Sequence, residues 1–161
     1  MAKLKRSAHL LYVDASMGGT TAQWFLVGKD IEELTVDLGA DTETVKNILD
    51  ETSVQLNGFE PNIEASPYMA NPDDAIYDPL LACAMDREMD DAHCKTKFLE
   101  VIVEDTSATS HSCWVQDCYL VPQSVGGDTS GFQIPFNIIP DGPRTKTTCT
   151  LANRVPTVST T

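Results

Sequence analysis

The chain has 161 residues, of which 42% are hydrophobic and 22% are charged, a composition typical of one globular domain that buries a core without disulfides or metals. Its 24 acidic and 11 basic residues give a net charge of −13. This charge disfavours direct nucleic-acid binding, because phosphate neutralisation needs clustered Lys and Arg. Five cysteines at irregular spacing argue against a secreted disulfide framework and for free thiols in a reducing cytoplasm.

The first 21 residues are predicted to be an N-terminal arm. A basic start leads into an apolar run at residues 9–13, and residues 16–21 follow as a flexible joint. The apolar run is too short for a signal peptide, and no stretch approaches the roughly 18 apolar residues of a membrane span. We therefore expect the protein to be made in the cytosol and to stay there until something releases it.

The predicted domain, residues 22–153, begins with short β-strands. Alternating apolar and polar side chains indicate strands at residues 31–38, with Leu38 inward, and at residues 59–65. Between them, residues 39–57 are polar and acidic and are predicted to be a long loop or a long hairpin. A loop of this length in a compact domain is usually functional or disordered.

One convincing helix is predicted near residues 73–86. Asp73, Asp74 and Asp78 supply caps and favourable charge at its start, and Pro79 is tolerated in a first turn. The apolar side chains that follow form a face that can cover a sheet.

Two strong strands follow at residues 98–104 and 113–121, which are rich in β-branched and aromatic side chains. The last third then predicts a glycine-rich turn, an alternating strand, a tight Pro-Asp-Gly turn and a second alternating strand. Because Pro135 cannot donate a ladder hydrogen bond, the first of these strands is expected at a sheet edge or at a bulge, and an apolar edge invites pairing with another chain. Four apolar side chains of this strand share one face: Phe132, Ile134, Phe136 and Ile138.

About eight strands and one helix predict a mainly β fold, a β-sandwich or partly closed barrel with one flanking α-helix. Extended N- and C-terminal arms and a long inter-strand loop complete the predicted architecture. The C-terminal tail, residues 154–161, is expected to be extended or disordered.

No motif indicates an active site. The acidic run at residues 86–94 is the best metal candidate, but it lacks the glycine turn and the terminal Glu of a calcium loop. His93 and Cys94 have no second pair at zinc spacing, and His111 near Cys113 has no nucleophile motif. We therefore expect no enzymatic activity, no metal and no cofactor.

Three carboxylate pairs are spaced four residues apart on predicted strands, so each pair shares a face: Glu33 and Asp37, Glu60 and Glu64, and Glu100 and Glu104. One interpretation is an ordinary solvated face, and the other is a deliberately anionic wall. General acid or base catalysis would need His, Arg or buried polar groups beside these carboxylates, and the flanking residues supply none.

Six segments, in order along the chain, carry a resemblance to a known family. They are WFLVGKDIEEL at 24–34, VKNILDETSV at 45–54, GFEP at 58–61, YMA at 68–70, GGDTSGFQIPFN at 126–137 and GPR at 142–144. Together they extend over about residues 22 to 150, most of the chain. In this ordered set the chain resembles the tail tube (major tail) proteins of long-tailed bacteriophages, above all those of phages that infect Gram-positive bacteria.

The resemblance implies a structural virion protein whose subunits form hexameric rings. The rings would stack helically into a hollow tube, through which genomic DNA passes without specific binding. Its partners would be itself and the tail-tip, tape-measure and tail-terminator proteins, with no membrane involved. The expected location is the virion tail, assembled in the cytoplasm of the bacterial host.

The resemblance also implies two sets of site residues. A lumen lined by carboxylates would repel passing DNA and keep it from sticking. The lumen-facing candidates are Glu33, Asp37, Glu60, Glu64, Glu100 and Glu104. The candidates for contacts between subunits are Asn47, Ile48, Leu49, Phe59, Tyr68, Ile134, Pro135 and Phe136.

Two alternatives stay open. Within the same class, the chain could form the inner tube of a contractile tail or of a phage-derived bacteriocin. In another class, it could be a cytosolic acidic β-sandwich binding module for a cationic partner, with an enzyme a distant third. The segment at residues 86–96 and the five cysteines have no role that the family would explain.

Overall fold

Strands make up 50% and helices 10% of the chain in a computed structural model that describes residues 2–159. The main sheet is antiparallel, curls into half a barrel and is flanked by few helices, which confirms the predicted fold class. The strands are β1 (His9–Asp14), β2 (Trp24–Val27), β3 (Val36–Asp37), β4 (Ala40–Lys46), β5 (Thr52–Phe59), β6 (Asn62–Ala65), β7 (Lys95–Ile102), β8 (His111–Pro122), β9 (Gly126–Asp128), β10 (Gly131–Gln133), β11 (Phe136–Ala152) and β12 (Val155–Val158). The helices are α1 (Tyr77–Met85) and the single turn α2 (Asp91–Cys94), with a 3₁₀ turn at Arg6–Ala8.

The main sheet has eight strands in the order β2-β1-β7-β8-β11-β6-β3, and β12 pairs with β11. Two small sheets stand apart from it, β4 with β5 and β9 with β10. Because side chains alternate along a strand, neighbouring residues of β1 and β7 enter different cores. Val13 and Phe98 belong to the larger core under α1, and Tyr12 and Leu99 belong to a smaller core on the opposite face.

The N-terminal segment is not wholly an arm, and the prediction was wrong for residues 9–14. These residues form β1, which pairs with β2 on one side and β7 on the other. Leu11, Tyr12 and Val13 are buried. The apolar run is too short for a signal peptide or a membrane span, but it has the length of a strand that is buried on both faces.

The C-terminal tail is also partly ordered, because residues 155–158 form β12 against the end of β11. Pro156 is buried there, and the backbone NH of Ser159 donates to the carbonyl of Thr148 at 2.9 Å. The expectation of an extended or disordered tail is corrected for these residues, and it lies outside the described residues for 160 and 161.

The apolar strand of the last third is interior rather than an edge. Its Phe136–Ile138 portion pairs with both β6 and β8. Pro135 lies in the break between β10 and β11, where its carbonyl accepts a hydrogen bond from the backbone of Gln123 at 2.8 Å. The chain therefore accommodates the missing proline donor by interrupting the strand. Ile134, Phe136 and Ile138 are buried, whereas Phe132 is exposed.

The predicted tight turn at residues 140–143 does not reverse the chain. Strand β11 continues through it, and its register against β8 shifts between Asp141 and Arg144. The Pro-Asp-Gly sequence thus forms a β-bulge in a long strand, which is another way of using a glycine with positive φ.

Helix α1 lies within the predicted span, although its start differs. Asp78 lies in the first turn, but Asp74 accepts a hydrogen bond from the Tyr68 hydroxyl at 3.0 Å instead of capping the helix. Leu80, Cys83 and Ala84 form the buried face. The additional turn α2 was not predicted.

Candidate functional site

The segment predicted as a long loop or a long hairpin is a two-stranded hairpin, formed by β4 and β5, which we call the projecting hairpin (residues 40–59). All residues of β4 are exposed, as are all of β5 except Gly58. At the tip, the Asn47 carboxamide oxygen accepts hydrogen bonds from the backbone NH groups of Leu49 (2.9 Å) and Glu51 (3.0 Å). The Asn47 amide also donates to the Glu51 carboxylate at 2.9 Å. The tip is therefore held in one shape by its own side chains.

The projecting hairpin carries apolar side chains that its own chain does not cover. Ile48 is 99% exposed and Leu49 is 71% exposed, and both lie at the tip. Two-stranded hairpins are at best marginally stable alone, and clustered exposed apolar side chains mark surfaces that bind a partner. The exposed apolar residues of the hairpin are Val45, Ile48, Leu49, Val54, Leu56 and Phe59.

An apolar cleft of about 640 Å³ opens where the base of the hairpin stands off the main sheet. One wall comes from β3 and the hairpin base, and the other from β7, β8 and β11. Its apolar lining residues are Val36, Leu38, Phe59, Pro61, Ile102, Trp114 and Pro140. Leu38 was expected inward, but it is exposed, because β3 is only two residues long and ends before it.

A buried carboxylate, Glu100, lies at the base of the apolar cleft. Its two oxygens lie 2.9 Å from Arg144 Nη2 and 2.9 Å from His9 Nε2. The Arg144 guanidinium also stacks near two aromatic rings, with its Cζ 5.6 Å from the Phe98 centroid and 5.9 Å from that of Trp114. Burial by itself raises the pKa of Glu100, but the hydrogen bonds from His9 and Arg144 outweigh it and hold the pKa below its ordinary value.

Three of the six lumen candidates meet in a second depression, which we call the acidic groove. Glu33, Asp37 and Glu64 line it together with polar side chains of β6 and the preceding segment, around a volume of about 810 Å³. Val36 and Leu38 line both the acidic groove and the apolar cleft, so the two depressions are neighbours on either side of β3. Strand pairing between β3 and β6 brings these carboxylates together from distant parts of the sequence.

The other three lumen candidates lie elsewhere. Glu60 is exposed at the hairpin base, and its backbone NH donates to the Gly39 carbonyl at 3.0 Å. Glu104 is exposed in the loop after β7. Glu100 is only 8% exposed and is paired with Arg144, so its assignment to a free anionic face is corrected. A spacing of four residues predicts that Glu100 and Glu104 share a face only if both lie on one strand. Strand β7 ends at Ile102, before Glu104.

The candidates for contacts between subunits divide into two groups. Asn47, Ile48, Leu49 and Phe59 are exposed on the projecting hairpin, and Pro135 is half-buried. Tyr68, Ile134 and Phe136 are buried in the larger core, which corrects the expectation that they face other subunits. The Tyr68 ring packs edge-on against Phe136, with ring centroids 5.7 Å apart.

Sequence reasoning missed the cleft residues Trp114, Gln116 and Arg144. Along β8, Trp114 and Gln116 alternate in step with Cys118 and Leu120, which are buried, so the pattern indicates one continuous core face. Arg144 lies on β11, where it pairs opposite Gln116. The sheet is covered at one end of this face and open at the other, and no signal in the sequence distinguishes the two ends.

The metal and nucleophile candidates take other contacts. In residues 86–94, Asp90 accepts from the backbone NH of His93 at 3.0 Å and caps α2, while Cys94 is buried against Cys83. Burial raises the pKa of Cys113 to about 12, which is unfavourable for a nucleophile. Within residues 2–159, no group of three or more His, Cys, Asp or Glu side chains is placed to hold a metal ion.

Over the same described residues, no helix has both the length and the apolar character needed to span a membrane. Comparison with models of known protein families and with curated proteins finds no match to this chain.

Proposed function

We propose that this chain is the self-assembling subunit of a bacteriophage tail tube, a structural virion protein that forms stacked hexameric rings around a DNA channel. The observation that carries the proposal is the projecting hairpin. It presents a shaped tip on which Ile48 is almost fully exposed and Leu49 is largely exposed, and residues 40–59 contribute nothing to the two cores. An element of this kind has a physical reason to exist when another molecule covers it.

The energetics favour coverage of the tip. Burying an aliphatic side chain contributes roughly 1.5–3 kcal/mol, so Ile48 and Leu49 together offer on the order of 3–6 kcal/mol per contact before association costs. One such contact gives weak binding, but in a closed ring stack the contact is repeated at every subunit. Repetition would turn a weak contact into a stable assembly.

The half-barrel sheet supports the same proposal. Within residues 2–159, the main sheet ends at β2 on one side and at β3 on the other. Edge strands offer free backbone groups for pairing with another chain, and neighbouring subunits of a ring can pair their edge strands.

The charge distribution fits a passage for DNA. The chain carries a net charge of −13, and the acidic groove concentrates Glu33, Asp37 and Glu64 in one place. An anionic lumen would keep DNA from sticking during transit. The acidic groove is therefore our candidate for the lumen-facing surface.

The test is electron microscopy of the concentrated protein, with hollow tubes of stacked rings as the expected result. The double variant Ile48→Asp, Leu49→Asp is expected to abolish the tubes, because it removes the apolar contact without touching either core. Met89→Asp is the matched control, since Met89 is exposed outside the hairpin. Tubes formed equally well by the double variant would contradict a role of the hairpin in assembly.

The acidic groove and the neighbouring apolar cleft also favour a second candidate, a binding module for a cationic partner with apolar side chains. That function requires a stable monomer or dimer at high concentration and saturable binding of a basic peptide. Small, uniform particles at every concentration would therefore favour the binding module. Within the tail-tube class, co-expression with a sheath protein would distinguish a contractile tail or bacteriocin tube from a non-contractile one.

A further inference from the structure

We propose that Cys83 and Cys94 form a redox site: a dithiol that closes to an intramolecular disulfide when the folded chain meets a small-molecule disulfide such as oxidised glutathione. The proposal concerns the single chain and does not depend on its assembly or on the function proposed above. It gives a role to the segment at residues 86–94 and to two of the five cysteines.

The geometry brings the two sulfur atoms together. Cys83 lies on the buried face of α1 and Cys94 ends α2, and their Sγ atoms are 3.7 Å apart although the residues are 11 positions apart in sequence. The Cys83 sulfur also lies 3.8 Å from the His93 carbonyl oxygen, and the Cys94 sulfur lies 3.6 Å from the Glu88 carbonyl oxygen. Closing the bond therefore needs a shift of about 1.7 Å between the sulfur atoms, towards the length of about 2.0 Å of a disulfide.

The two thiols differ in exposure. Cys83 is 1% exposed, and burial, followed by the hydrogen bond with Cys94, raises its pKa to about 12. Cys94 is 8% exposed and ends a helix of one turn. The residues that connect it to α1 are exposed apart from Glu88, which is half-buried, so local opening of this segment is less costly than opening a core strand. Cys94 is therefore the thiol that reacts first.

The reaction balances as two thiol–disulfide exchanges. The Cys94 thiolate attacks oxidised glutathione, a mixed disulfide forms and one glutathione thiolate leaves. The Cys83 thiol then loses its proton and attacks the Cys94 sulfur, which expels the second glutathione thiolate. The protein loses two protons and two electrons, and one oxidised glutathione becomes two reduced glutathiones.

The expected consequence is a bond that is open in a reducing cytoplasm and closed in an oxidising medium. When closed, it ties the exposed segment after α1 to the buried face of the helix. Closing a short loop lowers the entropy of the unfolded chain, so the oxidised form is more stable.

The other three cysteines serve as internal controls. Cys113, Cys118 and Cys149 are fully buried and lie on the long strands β8 and β11, where opening requires disruption of the main sheet. They are expected to remain thiols under conditions that oxidise the Cys83–Cys94 pair.

The experiment treats the full chain with excess oxidised glutathione under native conditions and follows intact mass, thiols after denaturation and peptide maps. We expect loss of two hydrogen atoms, a fall from five free thiols to three, and a Cys83–Cys94 cross-linked peptide. The Tm is expected to rise by about 5–10 °C and to return on reduction. Cys94→Ser should abolish the mass loss, whereas Cys118→Ser should retain it.

Five thiols remaining in the wild-type chain, a disulfide that maps to another pair, or a stable glutathione adduct in place of the cross-link would each overturn the proposal. Because these readings come from the wild-type protein, they hold even where a cysteine variant fails to fold.

Discussion

The Glu100 carboxylate and the Arg144 guanidinium form an ion pair at 2.9 Å below the apolar cleft, joining β7 to β11 although these strands are not neighbours in the sheet. Strand β8 lies between them, and the Arg144 side chain reaches across it past Trp114. The pair therefore ties together three strands of one cleft wall at the end that lacks the cover of α1.

Removal of Arg144 is expected to destabilise the fold. Arg144→Met leaves Glu100 buried with His9 as its remaining hydrogen-bond partner, and we expect the free energy of unfolding to fall by about 1–3 kcal/mol. Lys146→Met is the matched control, because Lys146 is exposed like Arg144 and also lies over Trp114, but the ion pair with Glu100 belongs to Arg144. The substitution of Lys146 is expected to cost under about 0.5 kcal/mol. Chemical denaturation measures both, and equal losses would contradict a special role of the ion pair.

The same carboxylate predicts a pH dependence of stability. The pKa of Glu100 in the folded chain lies below its ordinary value of 4.5. As the pH falls, the Glu100 carboxylate is therefore protonated in the unfolded chain before it is protonated in the folded chain. The stabilisation by Glu100 is therefore complete above pH 4.5 and is lost as the pH falls through the lower, folded pKa. Denaturation experiments between about pH 7 and pH 3 should show that the free energy of unfolding of Glu100→Gln depends less on pH than that of the wild type.

Glu104→Gln is the control, because it removes one negative charge from an exposed loop. Its pH profile of stability shows the effect of the change in net charge alone. If the profile of Glu100→Gln coincides with that of Glu104→Gln, the ion pair makes no contribution that depends on pH.

Asn47 is expected to control the order of the projecting hairpin but not of the whole chain. Asn47→Ala removes three hydrogen bonds at the tip, and a local loss of about 1–2 kcal/mol corresponds to roughly 5- to 30-fold faster amide exchange in residues 40–59. Global stability should stay within about 0.5 kcal/mol, because the hairpin is outside both cores. Ser53→Ala, which removes only a long contact of 3.5 Å to Val45, is the control.

Gly39 is expected to be required at the base of the projecting hairpin. Its φ is 57°, and a Cβ there would overlap the carbonyl oxygen of Glu60, whose backbone NH donates to the Gly39 carbonyl. Gly39→Ala should therefore cost about 2 kcal/mol or more and disturb the hairpin amides in exchange experiments. Gly142→Ala, with a φ of 74° but open space around it, should cost only about 1 kcal/mol.

The acidic groove can be tested in assembled tubes. The triple variant Glu33→Gln, Asp37→Asn, Glu64→Gln should still assemble, because it leaves the hairpin intact, but its tubes should retain more DNA in sedimentation at low salt. A map that places the groove on the outer surface of the tube would contradict a lumen role. The charge-matched control is Asp73→Asn, Asp78→Asn and Glu104→Gln.

Much of the fold could be predicted because its signals are local. Strands expected at 98–104 and 113–121 are present as Lys95–Ile102 and His111–Pro122, and the helix expected at 73–86 contains Tyr77–Met85. β-branched and aromatic runs and a helical apolar face depend on neighbours a few positions apart, so they can be read without knowledge of the partners.

The candidate site was predictable only in part. Ile48 and Leu49 lie in a polar segment and are exposed, as the sequence suggested, whereas Phe136 and Glu100 were assigned to surfaces and are buried. Alternation along a strand divides its side chains between two faces, but it does not say what covers each face.

By itself, the sequence determined the mainly β class, the helix, the net charge and an unusual polar segment between two strands, because composition and short-range periodicity carry these properties. Only the tertiary structure decided that residues 9–14 are a central strand, that residues 140–143 form a bulge, that Glu33, Asp37 and Glu64 share a groove, and that Cys83 meets Cys94. Each of these depends on pairing between distant parts of the chain. Such pairing is set by the burial and the hydrogen bonds of the whole sheet, which no local window contains.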